Sequence, residues 1–287
     1  MKKSTERIAR SREKSRQQWR EHRAAFIVYF LLRAIVIASL VMAVLNRAWE
    51  SAFLCVFTLI LFLLPAMVEK NFRVDLPDTL EIVILFFIFA TQILGELDAW
   101  YVRIQGWDTL MHTINGFICA ALGFSLVDLL NRNERVGMTL SPLYLSIAAF
   151  CFSMTVGVLW EFFEFAADRF LLMDMQKDTV VHTISSVALD PTMSNHPVVI
   201  TGITDAAVNG DSLGLGGYLD IGLIDTMKDL FVNFIGAVVF SVIGYFHVRS
   251  RGKSKFAGRF IPVVLDDIPE GTDMEALPKQ QETQEVP

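Results

Sequence analysis

Long apolar stretches separated by short polar segments fill most of the chain between residues 24 and 247. A helix of roughly 20 apolar residues crosses the hydrocarbon core of a bilayer, so the pattern predicts about six transmembrane helices. The predicted spans cover residues 24–45, 50–68, 78–95, 107–130, 142–165 and 224–245. The predicted fold class is therefore all-α, a polytopic membrane helix bundle.

One polar segment, residues 166–222, is too long to be a simple turn between the fifth and sixth spans. It contains β-prone runs at 179–184 and 198–203, which predict short strands in a small external loop or lid. Composition supports the membrane assignment: 53% of the residues are hydrophobic, 23 are phenylalanine and the mean hydropathy is +0.45. This apolar content exceeds what a soluble domain of 287 residues needs.

Positive charge is concentrated on one predicted face of the membrane. Residues 1–23 form a basic tail, and basic residues also follow the second, fourth and sixth spans. The positive-inside rule places this face, with both termini, in the cytoplasm. Residues 248–287 are predicted to be a cytoplasmic tail that is basic at first, then acidic and disordered. We expect the basic regions to contact membrane lipid and expect no nucleic-acid partner.

Acidic and polar residues recur at helical spacing at the predicted external ends of the spans. This placement indicates that several helices direct charged groups to one level of the membrane, where lipid contact would be unfavourable. The residues are Glu96 at the end of the third span, Asp108, His112 and Asn115 in the fourth, Glu161, Glu164 and Asp168 at the end of the fifth, and Asp225, Asp229, Asn233 and Gly236 in the sixth.

Helix capping accounts for only some of these acids. Asp108 and Asp225 stand where N-cap residues belong, and a carboxylate there is stabilising by itself. Glu161 and Glu164 lie at a helix C-terminus, where the dipole disfavours negative charge. Asp229 lies a full turn inside its helix. These three need a compensating positive charge.

A divalent cation would compensate the acids, because carboxylates and one imidazole are ligands suited to Mg²⁺, Mn²⁺, Zn²⁺ or non-haem iron. The alternative counter-ion is a basic side chain: Lys177, Lys228, Arg103 or Arg169. Asn115, Glu96, Asp168, Asn233 and Gly236 are interpreted as residues that support the ligands or pack helices. The predicted ligands are Asp108, His112, Glu161, Glu164, Asp225 and Asp229.

Three segments, WDTLMHTINGF, LWEFFEF and DTMKDLFVNFIGA, resemble in this order the signatures of the YjdF-like bacterial inner-membrane family. They are more distantly similar to the VanZ-like proteins, in which an Asp/His helix start, an acidic helix and an Asp-x3-Asn-x2-Gly helix follow one another. The similarity covers residues 78–245. It implies a multispanning protein of the bacterial plasma membrane, and it brings no established reaction with it.

Two functions follow as hypotheses. The first is a metal-dependent hydrolase or transferase that acts on a lipid or lipid-linked envelope substrate, with His112, Glu161 and Glu164 as catalytic residues. The second is a non-enzymatic membrane protein, either an ion- or proton-coupled transporter or an envelope factor, in which the cluster binds an ion or holds helices together. The acids become sparse towards the cytoplasmic half, which disfavours transport.

Overall fold

The computed structural model describes residues 23–72, 74–132, 140–250, 256–261, 263 and 264. Within these residues, six helices are long and apolar enough to span a membrane, which confirms the predicted all-α, polytopic fold. These spans are Ala24–Leu45, Trp49–Asn71, Asp78–Leu97, Trp107–Asp128, Pro142–Leu171 and Leu223–Arg249. The protein is embedded in a membrane.

The helices are numbered in chain order. The first three spans contain α1 (Arg23–Leu45), α2 (Trp49–Leu61), α3 (Leu64–Phe72) and α4 (Asp78–Phe89), and α4 continues as a π-helical segment (Ala90–Leu97). A short helix, α5 (Trp100–Arg103), precedes the last three spans. These are α6 (Trp107–Arg132), α7 (Pro142–Leu171) and α8 (Leu223–Arg249).

The described residues divide into two compact units. The first contains those of Met1–Trp100, Phe124–Leu145 and Ile243–Pro287, and the second contains Tyr101–Gly123 and Ser146–Val242. In the first unit, α1 packs against α2 and α4. Arg33, a costly residue in the middle of a span, places its guanidinium 4.6 Å from the ring centroid of Tyr29, one turn earlier on α1.

In the second unit, α6, α7 and α8 pack through small residues. A Cβ atom added to Gly116 would collide with the backbone carbonyl of Asn233, and one added to Gly236 would collide with that of Thr113. The backbones of α6 and α8 therefore cross at a distance that only glycine permits. Ser153 of α7 donates a hydrogen bond to the carbonyl of Gly116 (2.8 Å), which joins the third helix to this crossing.

The loop after α7 carries short antiparallel strand pairs, as the sequence predicts. α7 continues to Leu171 rather than ending near residue 165, so the loop comprises residues 172–222. Within this loop, Asp190 accepts hydrogen bonds from the hydroxyl groups of Thr192 and Ser194. These bonds lower the pKa of the Asp190 carboxyl group. The strands are β2 (Val180–Val181) with β7 (Tyr218–Leu219), β3 (Thr183–Ser186) with β4 (Val198–Thr201), and β5 (Ala207–Val208) with β6 (Asp211–Ser212).

The terminal tails are described only in part. The basic tail predicted over residues 1–23 lies outside the described residues except for Arg23, the first residue of α1. In the tail predicted to be disordered, β8 (Val263–Val264) pairs antiparallel with β1 (Val74–Asp75). This short stretch of the tail is therefore structured, and the acidic part from residue 265 onward lies outside the described residues.

Candidate metal centre

Three helices of the second unit place four carboxylates around one imidazole. Asp108 and His112 are four residues apart near the start of α6, and this spacing puts them on one face. Glu161 and Glu164 are three residues apart on α7, and Asp229 lies in the second turn of α8. We call these five residues the His112 cluster.

Both ring nitrogens of His112 face carboxylate oxygens. Nε2 lies 3.5 Å from Oδ1 of Asp108 and 3.9 Å from Oδ2 of Asp229. Nδ1 lies 3.8 Å from Oε1 of Glu161 on the other side of the ring. These distances exceed the usual length of a hydrogen bond between nitrogen and oxygen, about 2.7–3.2 Å.

The same distances suit ligands that share a metal ion. Two atoms bound about 2.1 Å from one ion at a tetrahedral angle lie about 3.4 Å apart, and wider angles separate them further. Two groups of the cluster have ligand atoms that all lie within 4.8 Å of one another. One group is Asp108, His112 and Asp229, and the other is His112, Glu161 and Glu164.

The cluster is buried and its polar atoms are incompletely satisfied. Asp229 is 1% exposed and Glu161 is 4% exposed. Among the described residues, Oδ2 of Asp108, Oδ1 of Asp229 and Oε2 of Glu161 have no hydrogen-bond partner. Leaving a buried carboxylate oxygen without a partner is costly, so these atoms favour a bound cation or a proton at this site.

Glu164 has a hydrogen-bond partner on its own helix that is not among the predicted site residues. The indole Nε1 of Trp160 donates a hydrogen bond to Oε1 of Glu164 at 2.7 Å. Trp160 precedes Glu164 by four residues, so their position on one helix face was readable from the sequence. This bond fixes the orientation of one carboxylate at the edge of the cluster.

Asp225, the sixth predicted ligand, contacts Lys177 and Lys228 and is not part of the His112 cluster. Its Oδ2 accepts a hydrogen bond from the backbone N–H of Lys177 at 2.8 Å, and its Oδ1 lies 3.8 Å from Nζ of Lys228. It belongs to neither group of atoms that could share an ion. Its contacts connect the start of α8 to the loop.

Asp168 holds the same part of the loop. Its carboxylate accepts hydrogen bonds from the backbone N–H groups of Met175 (2.6 Å) and Gln176 (2.8 Å), and the side chain of Gln176 donates to Oγ1 of Thr226 (2.5 Å). Residues 175–177 are therefore hydrogen-bonded to the C-terminal end of α7 and to the N-terminal end of α8. We call this segment the loop clamp.

The remaining predicted residues pack helices or lie in the other unit. Asn115 accepts a weak hydrogen bond from the thiol of Cys119 at 3.5 Å. Asn233 is 1% exposed, and a Cβ added to Gly157 would meet its amide at 2.6 Å. Gly236 forms the α6–α8 crossing described above. Glu96 lies in the first unit, on the π-helical segment.

These features define a multispanning helical membrane protein with a buried Asp/His/Glu cluster that could hold a metal ion. Residues 27–250 match the family model described as Predicted membrane protein (DUF2238), and the chain belongs to this family. Membership is compatible with the YjdF-like resemblance, whereas the VanZ-like resemblance stays a prediction.

A curated relative from Thermotoga maritima, named Uncharacterized protein, is 25% identical over 109 residues. The aligned region is 37% of this chain and 53% of the relative, so the chain spans about half the length of that protein. No solved structure matches the chain.

Proposed function

We propose that the protein is a divalent-metal-dependent hydrolase or transferase that acts on a lipid or lipid-linked substrate of the cell envelope. The observation that supports this proposal is the set of buried carboxylate oxygens around His112 that have no hydrogen-bond partner in the described part of the chain. A cluster that served only to hold helices together would be expected to pair these oxygens with donors.

The residue types suit metal-assisted attack by water or by an acceptor hydroxyl group. An ion held by Asp108, His112 and Asp229 would polarise a phosphoryl or carbonyl oxygen and make a bound water nucleophilic at neutral pH. A carboxylate oxygen of Glu161 or Glu164 that the ion leaves free would accept the proton. His112 is then a ligand, and its second nitrogen faces Glu161.

The position of the cluster supports a substrate from the membrane. The cluster lies near the end of the α6–α7–α8 bundle at which the loop clamp is fastened. The distribution of Lys and Arg assigns this end to the external face of a bacterial plasma membrane, with both termini cytoplasmic. A lipid headgroup at that face would reach the cluster from the plane of the bilayer.

The proposal is tested by lipid hydrolysis in nanodiscs. Purified protein is given phosphatidic acid or a polyprenyl diphosphate with Mn²⁺, and phosphate release is compared with release in EDTA. We expect release that requires Mn²⁺ and falls by at least about 100-fold in Asp229→Asn, because that change removes a ligand from the ion. Asp211→Asn, an exposed acid on β6, is the matched control and should keep full activity.

Equal phosphate release with and without EDTA would contradict the proposal, as would full activity in Asp229→Asn. If Mn²⁺ binds but neither lipid is hydrolysed, ion or proton flux in proteoliposomes would favour the transporter instead. A flux that Asp229→Asn abolishes would replace the enzyme as the preferred function.

A further inference from the structure

We propose that the His112 cluster holds two divalent cations, one beside each ring nitrogen of His112. This inference rests on the proposed function and deepens it, because it assigns the number of ions and their ligands. The Nε2 half-site consists of Asp108, Asp229 and Nε2 of His112. The Nδ1 half-site consists of the carboxylates of Glu161 and Glu164, which lie on the Nδ1 side of the same ring.

The geometry of the imidazole separates the two half-sites. A neutral imidazole binds an ion through one nitrogen only, and its other nitrogen carries a proton and points to the opposite edge of the ring. Asp108 and Asp229 lie at the Nε2 edge, and Glu161 lies at the Nδ1 edge. The two groups of candidate ligands share His112 and no other residue. A single ion therefore serves one half-site and leaves the other without a cation.

Each half-site contains a buried carboxylate oxygen that has no hydrogen-bond partner among the described residues. In the Nε2 half-site, Oδ2 of Asp108 and Oδ1 of Asp229 have no hydrogen-bond partner among the described residues. In the Nδ1 half-site the same holds for Oε2 of Glu161, a side chain that is 4% exposed. An ion bound in one half-site would leave the carboxylate oxygen of the other half-site without a partner.

Charge balance also favours two cations. The four carboxylates of the cluster carry four negative charges when ionised, and two divalent cations balance them. One divalent cation leaves two buried carboxylates that need either protons or a second cation. The nearby Lys228 does not replace the second ion, because its Nζ is 3.8 Å from Asp225 and its side chain is 47% exposed.

The half-sites differ in the metals that they should prefer. The Nε2 half-site combines an imidazole with two carboxylates, a set that suits Zn²⁺, Fe²⁺ or Mn²⁺. In the Nδ1 half-site the two glutamates provide most of the binding, because a neutral imidazole that ligates through Nε2 keeps its proton on Nδ1. Carboxylates alone favour hard ions such as Mg²⁺ and Mn²⁺. Mn²⁺ is the one ion in both sets.

The experiment counts Mn²⁺ ions per chain by equilibrium dialysis of the full-length protein in nanodiscs, followed by elemental analysis. We expect two Mn²⁺ per chain in the wild type. Glu161→Gln should retain one ion, in the Nε2 half-site, and Asp229→Asn should retain one ion, in the Nδ1 half-site. Asp211→Asn should bind two ions like the wild type.

If the wild-type protein binds one Mn²⁺ per chain, the proposal of a second ion is wrong and the proposed function stands. If it binds no Mn²⁺, the proposal of two ions and the proposed function are both wrong. The wild-type count needs no variant, so a variant that fails to fold does not affect this decision. A wild-type count of two that Glu161→Gln and Asp229→Asn both reduce to zero, while both variants keep the wild-type melting temperature, would overturn the assignment to separate half-sites.

Discussion

Trp160 controls the orientation of Glu164 through a single hydrogen bond. Its Nε1 lies 2.7 Å from Oε1 of Glu164, so this carboxylate is held before any ion arrives. Partners that orient a metal ligand typically change metal affinity by about 10–100-fold when they are removed. Trp160 is therefore expected to be a positioning residue rather than a ligand.

We predict that Trp160→Phe weakens Mn²⁺ binding by about 10–100-fold while the protein remains folded. Phenylalanine keeps most of the apolar contact and removes only the N–H donor. Titration of Mn²⁺ into protein in nanodiscs measures the affinity, and thermal unfolding in EDTA measures folding. Trp49→Phe, an exposed tryptophan of the first unit, is the matched control. Unchanged affinity in Trp160→Phe would show that the hydrogen bond does not matter for binding.

At this scale the sequence predicts helix faces well and loop contacts poorly. The i, i+3 and i, i+4 spacing of Asp108/His112 and Glu161/Glu164 indicates which side chains share a face, and the structure groups them with Asp229. The engagement of Asp225 depends on the backbone N–H of Lys177, which lies 48 residues away in the chain. No local pattern reports a contact over that separation.

At the scale of elements, the α6–α8 crossing fixes the distance between the helix that carries His112 and the helix that carries Asp229. The crossing depends on Gly116 and Gly236, where an added Cβ would meet backbone atoms of the facing helix. Backbone atoms cannot move aside as a side-chain tip can, so the helices themselves would have to separate.

We predict that Gly236→Ala destabilises the protein by about 1–3 kcal/mol or more and weakens Mn²⁺ binding, because the helices move apart. Thermal unfolding with and without Mn²⁺ measures both effects. Gly258→Ala is the control, since the nearest atom to its added Cβ is 4.0 Å away. Equal stability of the two variants would contradict the tight crossing.

The loop clamp is the second element-scale feature. Asp168 and Asp225 accept hydrogen bonds from three consecutive backbone N–H groups, those of residues 175–177. We predict that Asp168→Asn and Asp225→Asn each increase hydrogen exchange at these amides by at least about tenfold, because an amide side chain is a weaker acceptor than a carboxylate. Asp211→Asn, an exposed acid on β6 of the same loop, should leave the exchange unchanged.

α7 is longer than the span that hydropathy predicts, because hydropathy does not determine where a helix ends. The predicted span stops near residue 165, where the apolar run meets Asp168 and Arg169, but the helix continues to Leu171. Asp168 then caps the following turn through the backbone of Met175 and Gln176. Hydropathy locates the membrane-spanning part of a helix, whereas hydrogen bonds of this kind determine where the helix ends.

At the scale of the whole molecule, the account requires the loop 172–222 on the external face and the termini in the cytoplasm. We predict that Ser194→Cys in a background without Cys55, Cys119 and Cys151 reacts with a membrane-impermeant maleimide in intact cells. Ser4→Cys should react only after the cells are permeabilised. The opposite pattern would invert the topology and place the cluster at the cytoplasmic face.

The number of membrane spans follows from the sequence because each span is a continuous apolar run that must satisfy its own backbone hydrogen bonds. The structure confirms six such helices among the described residues. The convergence of Asp108, Glu161 and Asp229 does not follow in the same way. It depends on the small residues that let α6, α7 and α8 approach one another, Gly116, Gly157 and Gly236 among them.

The most direct test of the central claim is elemental analysis of the protein purified from its own membranes without added metal. We expect at least one divalent metal ion per chain, and a lower metal content in Asp229→Asn but not in Asp211→Asn. Wild-type protein that is folded and free of divalent metal, with a melting temperature that Mn²⁺, Zn²⁺ and EDTA leave unchanged, would contradict the account.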